Sequence, residues 1–362
     1  MNYTQHNPLP IPEVGPTERV PVSMDSIFDW EYALRRQNLL ALYEKGKASS
    51  WNASDLAWST EVDFAKKTRD MLSAGADEIF NQLLNPPHKL EPEVSVELNL
   101  NITAWMLSQF LHGEQGALLA TAKIVQGVPW EEAKWYAANQ VADEARHVEV
   151  YHRYLTEKLG RSFSVNRHLR TLLDQIICDS RWDMTYLGMQ IIVEGLALAA
   201  FSLIQLQWPD EPLIQDITAR IMGDEARHVA FGVLSLEHLY TKELSGAELK
   251  EREDFVIEAT HLMRERLLME DVYERTGLDV KVWLPWSIQT PYMRGFRQML
   301  FSKIVPNLKR LGLLTPRVRA AYQKLDLLRF EHLKDSSEEP EMMAPTELIE
   351  VLTQIRQGTA AS

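Results

Sequence analysis

Cysteine is nearly absent from this chain, with Cys178 the only one. A single thiol excludes an internal disulfide, a cysteine-ligated zinc site and an iron–sulfur cluster held by this chain alone, and it fits a reducing, cytoplasmic compartment. Massed basic charge is absent too. The net charge is −13 and the pI is near 5.3, with lysine and arginine scattered along the chain. That balance argues against nucleic acid as a partner. No apolar run approaches the roughly 18 residues of a membrane span, so no membrane partner is expected. Met1 to Met24 lacks a positively charged segment followed by an apolar core, so no secretory leader is expected either. At 45% hydrophobic and 25% charged residues, the composition is that of an ordinary globular protein. The 362 residues can bury a sizeable core as one domain.

What the chain does have is one short stretch used twice. Asp143-Glu144-Ala145-Arg146-His147 returns as Asp224-Glu225-Ala226-Arg227-His228. Each copy contains Glu-x-x-His, and residues three apart on a helix share a face, so the carboxylate and imidazole of one turn can bind one metal ion. Two such turns make half of a two-metal site. The other half requires one glutamate from each of two further helices. Glu114 lies 30 residues before Glu144, and Glu194 lies 31 residues before Glu225. Both are lone acids in apolar helical runs.

The spacing alone is weak, because Glu149/His152 and Glu258/His261 share it. Glu149 begins five residues after Glu144, roughly 140° further round the helix, and cannot use the same face. Glu258/His261 sits among many charges with no lone acid at a matching distance, and reads as a solvated face.

The order Glu, Glu-x-x-His, Glu, Glu-x-x-His, one element per helix, resembles the ferritin-like di-iron carboxylate proteins. The Asp-Glu-x-Arg-His form and the 30-residue first spacing are similar to the hydroxylase subunits of bacterial multicomponent monooxygenases. The interval of 50 residues from Glu144 to Glu194 is more similar to single-chain N-oxygenases and acyl-carrier-protein desaturases. The resemblance covers roughly residues 95–240. It implies an all-α, ferritin-like four-helix bundle with additional N- and C-terminal helices, and two iron ions, or manganese and iron, as cofactor. Glu114, Glu144, His147, Glu194, Glu225 and His228 would be the ligands. Four carboxylates match the charge of two divalent ions. Asp143 and Asp224 would orient the histidines through hydrogen bonds, with Arg146 and Arg227 balancing those acids.

Along the chain, 1–24 reads as an extended proline-rich arm, 25–335 as a single helical domain with the ligand helices at about 95–240, and 336–362 as a linker with a short helix near 346–356. Helices are expected over 25–48, 60–84, 92–126, 130–159, 182–207 and 211–240, then over 247–276, 293–311 and 316–333. Phe110, Ala117, Leu118, Tyr151, Gln190, Ala197, Leu198, Phe201 and Phe231 lie about a turn from the ligands and are candidates to line an apolar pocket. The last helices carry the most basic stretch, including Arg294, Arg297, Lys303 and Lys309, which reads as solvated helix faces, with docking of an acidic electron donor as the functional alternative.

The expected function is an O2-dependent di-iron monooxygenase acting on a small, largely apolar substrate. The resemblance also implies an external reductase or ferredoxin and a homodimer. A radical generator like the ribonucleotide reductase small subunit is an alternative, because Tyr151 occupies the place of its radical tyrosine. N-oxygenation is another, but the N-oxygenases carry a histidine where this chain has Ile221. Desaturation and, outside catalysis, iron storage complete the set. The threonine of the multicomponent hydroxylases is replaced here by Leu198. Ferritins are about half this length and poorer in histidine at the metal site.

Overall fold

The structure, a computed structural model, describes residues 17–75 and 85–338. Every regular element among them is helical. Helix α1 spans Gln37–Ala48, α2 Phe64–Ser73, α3 Pro92–Gly127 and α4 Glu131–Tyr154, which runs on through a π turn at Leu155–Leu159. Helix α5 is Arg167–Cys178. Helix α6 is built of Trp182–Tyr186, a π-helical stretch at Leu187–Val193, and Glu194–Gln207. Helix α7 spans Pro212–His238. Short connections fold α3 back on α4 and α6 back on α7, and α4 meets α7 across the centre. The bundle is completed by α8 (Gly246–Glu265) and five shorter helices, α9 to α13, between Glu270 and Lys324.

Local chemistry sets these ends. Pro92 and Pro212 occupy first-turn positions, where a missing N–H costs nothing. Glu211 accepts from the N–H groups of Leu213 and Ile214 and from the Tyr154 hydroxyl at 2.7 Å, tying the start of α7 to the end of α4. At the far ends of helices, buried Lys123 donates to the carbonyls of Ile176, Ile177 and Asp179, satisfying groups that α5 leaves unpaired. Gly160, at φ 62, stops the π turn after α4.

Several helices differ from their expected bounds. Residues 25–36 are not helical: Tyr32 has φ 53, and the irregular segment is pinned by Ile27 N–H to the Gln126 carbonyl and Arg36 N–H to the Glu132 carboxylate. Helix α5 was not expected at all, although Leu169, Leu172, Leu173, Ile176 and Ile177 bury one face. The long helix expected over 247–276 breaks at Arg266 to Met269. The residues of 60–84 beyond Gly75, most of the N-terminal arm and the C-terminal helix near 346–356 lie outside the described residues. One correction concerns apolar length. Trp182–Gln207 is long and apolar enough to cross a membrane, with mean hydropathy 1.9 in its window, but 94% of that window is buried inside the protein. It is the central helix of the bundle.

Helices α6 and α7 approach closely at Gly232. A Cβ there would stand 2.7 Å from Cβ of Gln190, an atom too near the backbone to swing away. Gly223 on the same helix faces open space. Gly232→Ala should therefore destabilise by about 1–3 kcal/mol through overpacking. Gly223→Ala should stabilise by up to about 1 kcal/mol through helix propensity. Urea titration of both variants checks the pair, and equal midpoints would contradict the close approach.

Candidate metal centre

Four helices deliver six side chains to one buried point. Glu114 comes from the middle of α3, Glu144 and His147 from one turn of α4, Glu194 from α6, and Glu225 and His228 from one turn of α7. All are 6% exposed or less. Glu194 follows directly on the π stretch Leu187–Val193. The wider π turn inserts an extra residue and shifts everything after it round the axis, a device frequent at functional sites.

The two imidazoles present equivalent atoms. His147 Nδ1 stands 3.3 Å from Glu114, 3.4 Å from Glu144 and 3.2 Å from Glu225. His228 Nδ1 stands 3.2 Å from the other oxygen of Glu144 and 3.5 Å from the other oxygen of Glu225. Glu144 and Glu225 thus face both histidines, one oxygen each way. Ligand atoms of Glu114, Glu144, His147 and Glu225 lie within 4.8 Å of one another, and so do those of Glu144, Glu194 and His228. Glu144 belongs to both sets. Two metal ions can be accommodated side by side.

The outward nitrogens are held crosswise. His147 Nε2 donates to Asp224 on α7 at 3.1 Å, and His228 Nε2 donates to Asp143 on α4 at 3.3 Å. Each aspartate therefore fixes the imidazole of the other motif, leaving both Nδ1 atoms inward. Arg146 bonds Asp143 and reaches Asp224 at 3.5 Å, while Arg227 bonds Asp224. Two groups that the motif does not reveal join this layer. The indole N–H of Trp51 donates to Asp224 at 2.8 Å, and Gln140 donates to Glu144 at 2.9 Å and Glu194 at 3.0 Å. Gln140 could have been suspected as the polar residue one turn before Glu144. Trp51 comes from a loop, and no local pattern points to it.

The donor set fits cations. Glu144 Oε2, Glu194 Oε2, both oxygens of Glu225 and His228 Nδ1 are buried without a hydrogen-bond partner, a costly state unless a cation serves them. Glu114 and Glu194 are pushed well above the usual carboxylate range by burial and then by Glu225. Burial lowers His147 and His228, but the facing carboxylates outweigh it and raise both. Burial also opposes ionisation of Glu144, yet the charge of His228 holds it below the usual range. Glu114, Glu194, His147 and His228 all retain protons unusually well.

The pocket candidates divide. Phe110, Ala117, Ala197 and Phe201 line a cavity of about 20 Å³ bounded by Glu114, Glu194 and Glu225. Tyr151 lies behind it, its ring 5.9 Å from Phe110 and 6.2 Å from Phe201. The others point elsewhere. Leu198 packs on Ala226 and Val229, Gln190 packs against Gly232 and bonds Thr121, and Phe231 sits between Tyr136 and Tyr186. Leu118 is half-buried outside the cavity. Helical spacing brings residues to the ligands' neighbourhood but does not say which side of the ligand they take. Gln109, Gly113, Val193 and Arg266 complete the lining and were not foreseen. Glu149, His152, Glu258 and His261 are exposed and stay out of the cluster.

No family model matches this chain, and no curated protein matches it. Solved structures do. An R2-like ligand-binding oxidase variant with anaerobically reconstituted Mn/Fe cofactor is similar at 17% identity over 72% of this chain and 92% of that one, with a TM-score of 0.43. Another such variant gives 17%, 78% and 92%, with a TM-score of 0.44. A third, with aerobically reconstituted Mn/Fe cofactor, gives 16%, 82% and 93%, with a TM-score of 0.42.

The crosswise pairing makes a prediction about position. Asp224→Ala should loosen the ion beside His147, and Asp143→Ala the ion beside His228, each by about 10–100-fold in affinity. Anomalous scattering from partly loaded crystals of the two variants distinguishes the positions. Loss on the same side as the mutated motif would overturn the pairing.

Proposed function

We propose that this chain is an O2-activating two-metal oxidase, with two iron ions or manganese and iron held by Glu114, Glu144, His147, Glu194, Glu225 and His228. One observation carries the reading: carboxylate oxygens and an imidazole nitrogen, buried and without hydrogen-bond partners, converge from four helices on one point. A redox-active pair bound there supplies the electrons that reduce O2. The protein's own groups position and shelter that chemistry. Glu144, common to both ligand sets, and Glu225, which turns one oxygen toward each histidine, would hold the pair together, with Glu114 and Glu194 completing the two sides. Asp143 and Asp224 keep the imidazole tautomers fixed, and Gln140 steadies Glu144 and Glu194 through its amide N–H groups. Phe110 and Phe201 exclude water from the cavity side.

The oxidised group is a small, largely apolar organic substrate. Hydroxylation converts R–H, O2, two electrons and two protons into R–OH and water, so an external reductase or ferredoxin supplies two electrons per turnover. A specific observation supports a second reading, storage of a tyrosyl radical. The Tyr151 hydroxyl is fully buried without a hydrogen-bond partner, and Glu114 is close enough to raise its pKa after burial has done so.

Adding O2 to the reduced, metal-loaded protein and following both O2 consumption and electron paramagnetic resonance tests the two. The oxidase reading expects O2 uptake that survives Tyr151→Phe, because that change removes a hydroxyl and keeps the ring. A persistent tyrosyl signal in the native protein, lost with activity in the variant, would replace it with radical storage. No O2 uptake in either would end both.

A further inference from the structure

Arginine is seldom buried without a carboxylate beside it. Four arginines are buried among the described residues. Arg227 meets Asp224, Arg252 meets Asp183 at 2.8 Å, and Arg297 meets Glu265 at 3.2 Å. Arg266, only 5% exposed, meets none. Its Nη1 reaches only the sulfur of Met263, at 3.6 Å, and its Nε has no partner. No carbonyl, hydroxyl or carboxylate among the described residues accepts a hydrogen bond from this guanidinium. Burial lowers its pKa to about 10, with no neighbouring charge opposing the shift.

The place is as telling as the isolation. Arg266 caps α8 at the break before the helix Glu270–Thr276 and lines the same cavity as Glu114, Glu194 and Glu225. The remaining walls are apolar, from Phe110, Val193 and Phe201. Gln109 also borders the cavity, but its amide is already used, donating to the Ser164 carbonyl at 2.9 Å and accepting from Asn166 N–H at 2.7 Å. Apart from the metal-facing carboxylates, the guanidinium is the cavity's one uncommitted polar group among the described residues. Its planar fork of N–H donors matches a carboxylate, which it can grip with two parallel hydrogen bonds. The cavity of about 20 Å³ holds about one water-sized group in this closed form, and its apolar walls suit a carboxylate that carries an apolar remainder better than a fully polar oxyanion. Gly113 leaves open space beside the wall, where lining side chains can shift to admit a short chain.

We propose that Arg266 binds the carboxylate of a small organic acid whose apolar remainder lies against Phe110, Val193 and Phe201, beside the metal ligands. That the acid is the substrate rests on the oxidase reading above; that it binds here does not. The unpaired cation is tolerated because the ligand supplies the missing charge.

Calorimetric titration of the full chain, metal-free and loaded anaerobically with Fe(II), with hexanoate and benzoate and with their neutral amides, tests the site. The acids should bind about tenfold more tightly than the amides, or better, in both forms. Arg266→Gln should abolish that preference with the metal content unchanged, and Arg266→Lys should restore part of it. Without ligand, Arg266→Met should raise the melting temperature, whereas an arginine with a structural role would lower it. Acids and amides binding alike, neither binding at millimolar concentration, or an undiminished preference in Arg266→Gln would overturn the proposal. Should Arg266→Gln fail to fold, the acid-to-amide ratio of the native chain decides alone. A metal-free preference for acids in a chain that retains no iron would support the Arg266 site and overturn the oxidase reading.

Discussion

Four glutamates share one buried point, and the rest of the molecule answers to the charge they carry. Isolated carboxylates do not stay ionised in such surroundings; they bind protons, pair with cations or recruit metal. Here the pairing cations of the inner layer are absent, since Arg146 and Arg227 are spent on Asp143 and Asp224. The only cationic groups that Glu144 and Glu225 face are the two imidazoles, and the Gln140 amide reaches Glu144 alone of the two. Two divalent ions would neutralise the set and occupy the oxygens left without partners.

The same constraint explains the supporting layer. An imidazole can serve a metal through only one nitrogen at a time, and the other must be held if the ring is not to turn. Crossing the contacts, with Asp224 on His147 and Asp143 on His228, makes each half of the repeat depend on the other. Loss of packing between α4 and α7 would disturb both histidines at once. Trp51 extends this dependence to the N-terminal segment, because its indole N–H shares the Asp224 carboxylate with His147. A loop far from the bundle in sequence thereby becomes part of the site.

Much of the centre was legible in the chain because it is written in helical spacing. Glu144/His147 and Glu225/His228 share a face at i, i+3. Glu114 and Glu194 stand out because a lone acid in an apolar run needs a reason. The structure brings all six together, along with both aspartates and both arginines. What spacing could not convey depends on contacts distant in sequence or on irregular backbone. The π stretch before Glu194 rotates α6, which helps explain why Leu198 and Gln190 leave the cavity although they lie within a turn of the ligand. Phe231 was misplaced for a related reason, since it is near His228 along the helix but packs between two tyrosines. Arg266 was invisible because an arginine among the charges of a long expected helix reads as solvated until its burial is known. Helix α5 was legible and missed, as its Leu169, Leu172 and Ile176 pattern is regular. Residues 25–36 went the other way, carrying an apolar periodicity that a positive φ at Tyr32 interrupts.

The central claim is that the cluster holds a pair of metal ions. X-ray absorption spectroscopy on the iron-loaded protein, with metal content determined on the same sample, tests it most directly. Two ions per chain with a metal–metal distance of roughly 3.5–4 Å, in a shell of oxygen and nitrogen neighbours, is the expected result. A single ion per chain, or two ions with no metal neighbour inside that range, would contradict the account.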